Sequence, residues 1–175
     1  MLKELIQYLN DNKLVLSTAE SCTAGDIMAS LSKEGNCGEC LFIGYVVYHT
    51  KAKEKELGVN PLTIKKYGLT SEEVAREMII GTFQHAETNT AIATTGIIGE
   101  EAMDGIPPGT VCFAWGFRLE KDLYVFSETK KFQGDTKDMS KKAVLYALSR
   151  LKEYHQYLNK RNSDYLNNLF IYSVK

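Results

Sequence analysis

The sequence predicts an α/β fold: a layered sandwich with a mixed, mostly parallel sheet flanked by helices. Three observations predict it. Helical periodicities alternate with short β-rich runs in the order α-β-α-β-α-α-α-β-β-β-α, the pattern of helices laid over a sheet. Two consecutive strands expected at 110–117 and 123–132 are close enough for a hairpin, which makes the sheet mixed. The chain has 175 residues, 44% of them apolar, enough for the core of one domain and some extension.

Each element has its own signal. Leu2, Leu5, Ile6 and Leu9 recur at helical spacing, so a first helix is expected over about 2–12. Leu14 to Thr18 reads as a strand, Glu20 to Gly25 as a turn, and Ile27, Met28 and Leu31 as a helix ending near Gly35. Leu41 to His49 is apolar and β-branched, the pattern of a buried strand. Thr50 is expected to cap a short helix that Gly58 ends. Asn60-Pro61 is a cap followed by a first-turn proline. Thr70 with Glu73 reads as a capping box, opening a helix lined by Val74, Met78, Ile79 and Phe83 and reaching about His85. A strand at 90–95 precedes a loop at 96–109 with four glycines and Pro107-Pro108; loops of that length in compact domains are often functional. After the hairpin, Asp135 starts a long helix carrying Ala143, Val144, Ala147, Leu148 and Leu151. Residues 1–157 are thus expected to form the domain. Asparagines then weaken the helical pattern, and 158–175 is expected to be an extension docking on the domain or on a partner subunit.

Composition narrows the function classes. The formal net charge is −1 with 25% charged residues, which gives no general attraction to nucleic acid or an acidic membrane. No apolar run approaches the ~20 residues of a membrane helix. Met1-Leu2-Lys3-Glu4 lacks a signal-peptide core, so a cytoplasmic location is expected. The cysteines are Cys22, Cys37, Cys40 and Cys112. Cys37 and Cys40 form a C-x-x-C in a glycine-rich loop. A zinc site needs two further ligands at suitable spacing, and His49, His85 and His155 show no such pairing. Two reduced loop cysteines and no metal are expected.

Two segments carry candidate chemistry. Thr18-Ala19-Glu20-Ser21-Cys22-Thr23-Ala24-Gly25 joins a strand to a helix. Backbone N–H groups at a helix start are unpaired and suit a phosphate or a developing oxyanion. Ser21 there has the position of a nucleophile, although spacing alone favours the plainer reading of Ser21 or Thr23 as a helix cap, since caps are far commoner than nucleophiles. Cys22 is a rival nucleophile without a local histidine to activate it. A serine needs a base, and a lysine serves when burial or neighbouring cations lower its pKa. Lys51, Lys53 and Lys55 follow the strand at 41–49; alternation alone does not separate a base from solvated surface lysines.

These segments resemble the C-terminal domain of the CinA family, the nicotinamide-nucleotide amidases. Residues 18–25 are similar to its T-A-E-S-C-T-G-G, with Ala24 in place of a glycine. Gly44 to Lys53 resembles G-x-V-x-Y-x-x-x-A-K. Gly58-Val59, then Gly68 to Ala75, resemble L-G-V and V-S-E-E-V-A. Thr95-Gly96-Ile97-Ile98-Gly99 resembles T-G-I-A-G, Pro107 to Val111 resembles P-V-G-T-V, and Gly134-Asp135 opens G-D-R, with Thr136 in place of the arginine. The likeness runs from about residue 1 to 155. It implies hydrolysis of the amide of nicotinamide mononucleotide to nicotinate mononucleotide and ammonia, without metal or cofactor, by a homo-oligomer. It implies Ser21 as nucleophile, Lys53 as general base and Tyr48 as a proton-relay partner. Thr95 and Gly96 would line the substrate site, and Thr23 and Gly25 would shape the loop at the helix start. Lys137 and Lys141, four apart on one helix face, are the candidates to replace the arginine's charge at the phosphate. A non-catalytic nucleotide-binding or oligomeric module on the same fold is the second reading; the Ser21, Tyr48, Lys53 set favours the enzyme.

Overall fold

The structure, a computed structural model, describes residues 1–160 and 167–173. Its elements are α1 (Leu2–Asp11), β1 (Leu16–Glu20), α2 (Asp26–Ser32), β2 (Leu41–Val46), α3 (Thr50–Leu57), α4 (Pro61–Tyr67), α5 (Glu72–His85), β3 (Thr90–Gly96), β4 (Thr110–Leu119), β5 (Asp122–Lys131), α6 (Thr136–Lys160) and β6 (Leu169–Ser173). The strands form one sheet in the order β2-β1-β3-β4-β5-β6. β1 pairs in parallel with β2 and β3; β3–β4, β4–β5 and β5–β6 are antiparallel. The layered α/β sandwich with a mixed sheet is as expected, but the sheet is not mostly parallel: among the described residues two pairings are parallel and three antiparallel. The sheet is parallel around β1 and antiparallel beyond β3: β3, β4 and β5 follow one another with no helix between them, and β6, after α6, lies antiparallel beside β5.

Side-chain alternation along β4 builds both faces of the sheet. Val111, Phe113, Trp115 and Phe117 belong to a core with Leu5, Leu9, Ile27, Leu31, Val144, Leu148 and Leu151, so α1, α2 and α6 cover that face. Cys112 and Ala114 belong to the opposite core with Leu57, Val74, Met78 and Ile79, under α3 and α5. The second face carries small residues, so α5 comes close. A Cβ added at Gly116 would lie 2.5 Å from Ile79 Cγ2 and 2.7 Å from Phe83 Cε2. Trp115 donates its indole N–H to the Ala147 carbonyl at 2.8 Å, giving the buried ring its polar partner.

Several local expectations change. β1 starts two residues later than the sequence suggests, so Glu20 ends the strand instead of opening the turn. Leu41–Val46 is the sheet's edge, not a buried strand: Phe42 is 51% and Val46 54% exposed. Its continuous apolar run resembles a strand covered on both faces, and periodicity does not report which strand ends a sheet. His49, not Thr50, caps α3, its Nδ1 accepting from Lys51 N. Ser71, not Thr70, caps α5 by accepting from Val74 N at 3.3 Å. Asp135 caps α6 through its Oδ1 and Asp138 N at 2.9 Å, as expected. α6 runs on to Lys160, through Asn159. Leu169–Ser173 adds to the edge of the same sheet beside β5; Asn162 lies outside the described residues.

Candidate active site

Strand order 2-1-3 means that chain connections leave β1 on one side and return to β3 on the other. α2 packs on one face of the sheet and α3 and α5 on the other. In open α/β sheets such a switch point leaves a crevice outside the carboxyl ends of the strands. Glu20 and Ser21 stand at the end of β1, and Thr94 stands beside them near the end of β3. Ser21 N donates to the Thr94 carbonyl at 3.0 Å, which fixes the serine's backbone where the strand stops.

Lys53 meets Ser21 there. Its Nζ lies 2.8 Å from Ser21 Oγ, 2.7 Å from the Val47 carbonyl and 3.0 Å from the Tyr48 carbonyl. α3 delivers it: His49 caps the helix, and Lys53 lies on the face it shares with buried Leu57. The lysine is fully buried while Ser21 keeps 6% of its surface open, so the serine reaches solvent and the lysine does not. Burial pushes the Lys53 amine down to about 8. The two carbonyls orient the nitrogen. As an ammonium it donates all three N–H bonds to these partners. As a neutral amine it keeps two donors for the carbonyls and turns its lone pair to Ser21.

Glu20 organises the turn that follows. Its carboxylate is buried. Oε2 accepts from Thr23 Oγ1 (2.7 Å), Gly25 N (3.0 Å) and Ile27 N (3.1 Å), and Oε1 accepts from Met28 N (3.1 Å). The carboxylate caps α2 from the strand, replacing the side-chain cap that Gly25 cannot supply. Thr23 Oγ1 also contacts Thr94 Oγ1 at 2.8 Å. The turn passes through two left-handed residues, Ala24 (φ 51°) and Gly25 (φ 97°). At Ala24 the methyl costs roughly 1–2 kcal/mol.

These contacts sort the residues singled out from the sequence. Ser21 and Lys53 come together. Tyr48 does not join them through its hydroxyl: the side chain is 69% exposed, its hydroxyl has no partner among the described residues, and its carbonyl holds Lys53 instead. Thr23 and Gly25 shape the loop, but their hydroxyl and N–H are taken by Glu20, so these donors do not face a ligand. Thr95 is buried and donates to the Leu69 carbonyl at 2.9 Å. Gly96 is set by close packing, since a Cβ there would lie 2.5 Å from the Thr110 carbonyl oxygen. Lys137 and Lys141 line an open groove of about 560 Å³ with Asp26, Ser30 and Ser140; neither Ser21 nor Lys53 lines it. Cys22 is a poor rival nucleophile, because burial pushes its thiol up to about 12. The sequence reading missed Glu20 and Thr94. A carboxylate closing a strand just before a helix start was the available signal for Glu20; Thr94 had none.

The fold and this turn together define an α/β domain with a buried serine–lysine pair at the switch point of its sheet. A family model described as "CinA C-terminal domain" matches residues 1–155. The chain belongs to that family. It is 35% identical over 148 residues to Protein YdeJ of Escherichia coli (strain K12), covering 84% of each chain. It is 34% identical over 143 residues to a CinA-like protein of Fusobacterium nucleatum, covering 82% of this chain; the match spans 34% of that relative's length. Among solved structures, the competence damage-inducible protein A (ComA) of Klebsiella pneumoniae superimposes with a TM-score of 0.80 at 34% identity, over 87% of this chain and 95% of that one. The competence/damage inducible protein CihA of Agrobacterium tumefaciens gives 0.78 at 28% identity, over 87% and 94%. Among the described residues, no helix is long and apolar enough to cross a membrane.

Proposed function

We propose that this domain hydrolyses the carboxamide of nicotinamide mononucleotide, giving nicotinate mononucleotide and ammonia, with Ser21 as nucleophile and Lys53 as general base. One observation carries the reading: a fully buried lysine, oriented by two carbonyls, 2.8 Å from the hydroxyl of a serine that reaches solvent. Neutral Lys53 takes the Ser21 proton as Oγ attacks the amide carbon. The resulting oxyanion needs donors. The N–H groups of Cys22 and Thr23 follow the nucleophile and donate to no other described residue, so they are the candidates. The Lys53 ammonium then protonates the departing nitrogen, ammonia leaves, and an acyl ester remains on Ser21. Water, deprotonated by Lys53, cleaves that ester and releases the carboxylate. Lys137 and Lys141 are the proposed cations for the nucleotide phosphate, since Glu20 already occupies the N–H groups at the start of α2.

The test is ammonia release from nicotinamide mononucleotide, and from its dephosphorylated riboside, by the protein and its Ser21→Ala variant. Turnover by the protein and at least a ~10²-fold loss in the variant, at an unchanged thermal melt, are expected. Equal turnover of both compounds would remove the phosphate from the reading. No turnover, with nucleotide binding retained, would favour the non-catalytic module instead.

We also propose a homo-oligomer joined through β2. This edge carries exposed Phe42, Ile43 and Val46 and no charged side chain that would deter edge pairing. Val46→Lys should shift the protein to a monomer in light scattering; a protein that is monomeric without the substitution rules this assembly out.

A further inference from the structure

The C-x-x-C of the loop before β2 lies apart from the serine–lysine pair, and its geometry points to a chemistry of its own. Cys40 N donates to the Cys37 carbonyl at 3.2 Å, and Leu41 N donates to the same oxygen at 3.1 Å. A bond from residue i to i+3 closes a turn whose Cα atoms lie within about 7 Å. A disulfide spans Cα separations of roughly 4.4–6.8 Å. Both side chains also pack on the same core cluster, Cys40 buried within it and Cys37 partly buried against it. The loop is tied at both ends: Asn10 Nδ2 donates to the Asn36 carbonyl at 3.0 Å, and Leu16 N donates to the Cys40 carbonyl at 2.8 Å. The closed turn therefore sets the two Cα atoms within disulfide reach, and the Cys37 thiol, which donates to the Ser32 carbonyl at 3.8 Å, needs only a side-chain rotation to meet Cys40.

We infer that Cys37 and Cys40 form a reversible dithiol–disulfide site, oxidised by a hydroperoxide such as hydrogen peroxide. Cys37 is the entry point because it is the more accessible thiol. Its sulfur attacks the peroxide O–O bond, giving a sulfenic acid and one water. The Cys40 sulfur attacks that sulfenic acid, the S–S bond forms, and the hydroxyl leaves as a second water. Two thiols are oxidised by two electrons while the peroxide is reduced. A dithiol reductant reverses the step by exchange. Burial pushes the Cys40 thiol up, which keeps it protonated and makes it the second partner, not the first. Cys22 and Cys112 are pushed higher, to about 12 and about 11, by their own burial, so they stay reduced.

Mass spectrometry of the whole chain tests this. The protein is treated with hydrogen peroxide, then denatured and alkylated without reductant. Two of the four cysteines should escape alkylation, the chain should lose two hydrogens in mass, and peptide mapping should place the link between Cys37 and Cys40. In Cys40→Ser, dimedone should trap a sulfenic acid on Cys37. Four alkylated cysteines after peroxide, a link that includes Cys22 or Cys112, or a link between chains would overturn the inference. The wild-type measurement stands by itself if Cys40→Ser fails to fold.

Discussion

Lys53 is an expensive residue at the scale of one side chain. Burying an ammonium is costly unless its donors are satisfied, and here three acceptors take all three. The environment still favours the neutral amine, which pushes the group down to about 8 by burial. The sign follows for the proposed reaction. A base must be unprotonated, so the active form is the minor one at pH 7 and the major one at pH 9. We predict that kcat/KM for nicotinamide mononucleotide rises about tenfold per pH unit below an apparent pKa near 8 and levels above it. A rate that falls on going from pH 7 to pH 9 would mean that the ammonium, not the amine, is the working form. The identities of Ser21 and Lys53 were legible in the sequence through the order of motifs, not through spacing: 32 residues separate them, and alternation left Lys51, Lys53 and Lys55 equivalent. The Tyr48 carbonyl, and not its exposed hydroxyl, meets Lys53, which a motif does not foretell because it reports which residue is present and not which of its atoms faces inward.

Among the elements, α2 shows how the turn that carries Ser21 is held. The helix has seven residues and a glycine at its N-cap, so it has little stability of its own. Glu20 supplies what it lacks by accepting three backbone N–H bonds and one hydroxyl. Removing the carboxylate leaves buried donors unpaired, at ~1–3 kcal/mol each. Glu20→Ala should therefore destabilise the domain by about 3 kcal/mol or more and lower its melting temperature by roughly 6–12 °C. A calorimetric shift under 2 °C would show that water replaces the carboxylate at no cost. This dependence was hidden in the sequence, where Glu20 read as part of a polar turn. The helices were more readable. The faces of α1 and α5 were visible as periodic Leu, Val, Met and Ile, and Leu5, Ile6, Leu9, Val74, Met78 and Ile79 are indeed buried. The edge position of β2 was not, because burial of a strand depends on its neighbours and not on its own composition.

At the scale of the molecule, the fold brings three distant segments to one point. β1 contributes Glu20, its following turn Ser21, β3 Thr94, and the chain from β2 into α3 the two carbonyls and Lys53. The parallel half of the sheet makes this possible by aligning the ends of β1, β2 and β3, while β4 to β6 widen the sheet that α5 and α6 cover. Alternating periodicity was enough to read this layered architecture. It did not reveal that the last described strand joins the same sheet beside β5, since a short apolar run after a long helix has several places to dock.

The central claim is that Lys53, and no neighbouring lysine, activates Ser21. Ammonia release from nicotinamide mononucleotide by Lys53→Met and Lys51→Met, measured side by side with their thermal melts, tests it most directly. Lys51 is exposed near the start of the same helix, whereas Lys53 is buried against the serine. The account predicts a loss of about 10²–10⁴-fold in Lys53→Met, with a folded protein, and near-normal turnover in Lys51→Met. Substantial turnover by a folded Lys53→Met, or its loss in Lys51→Met, would contradict it.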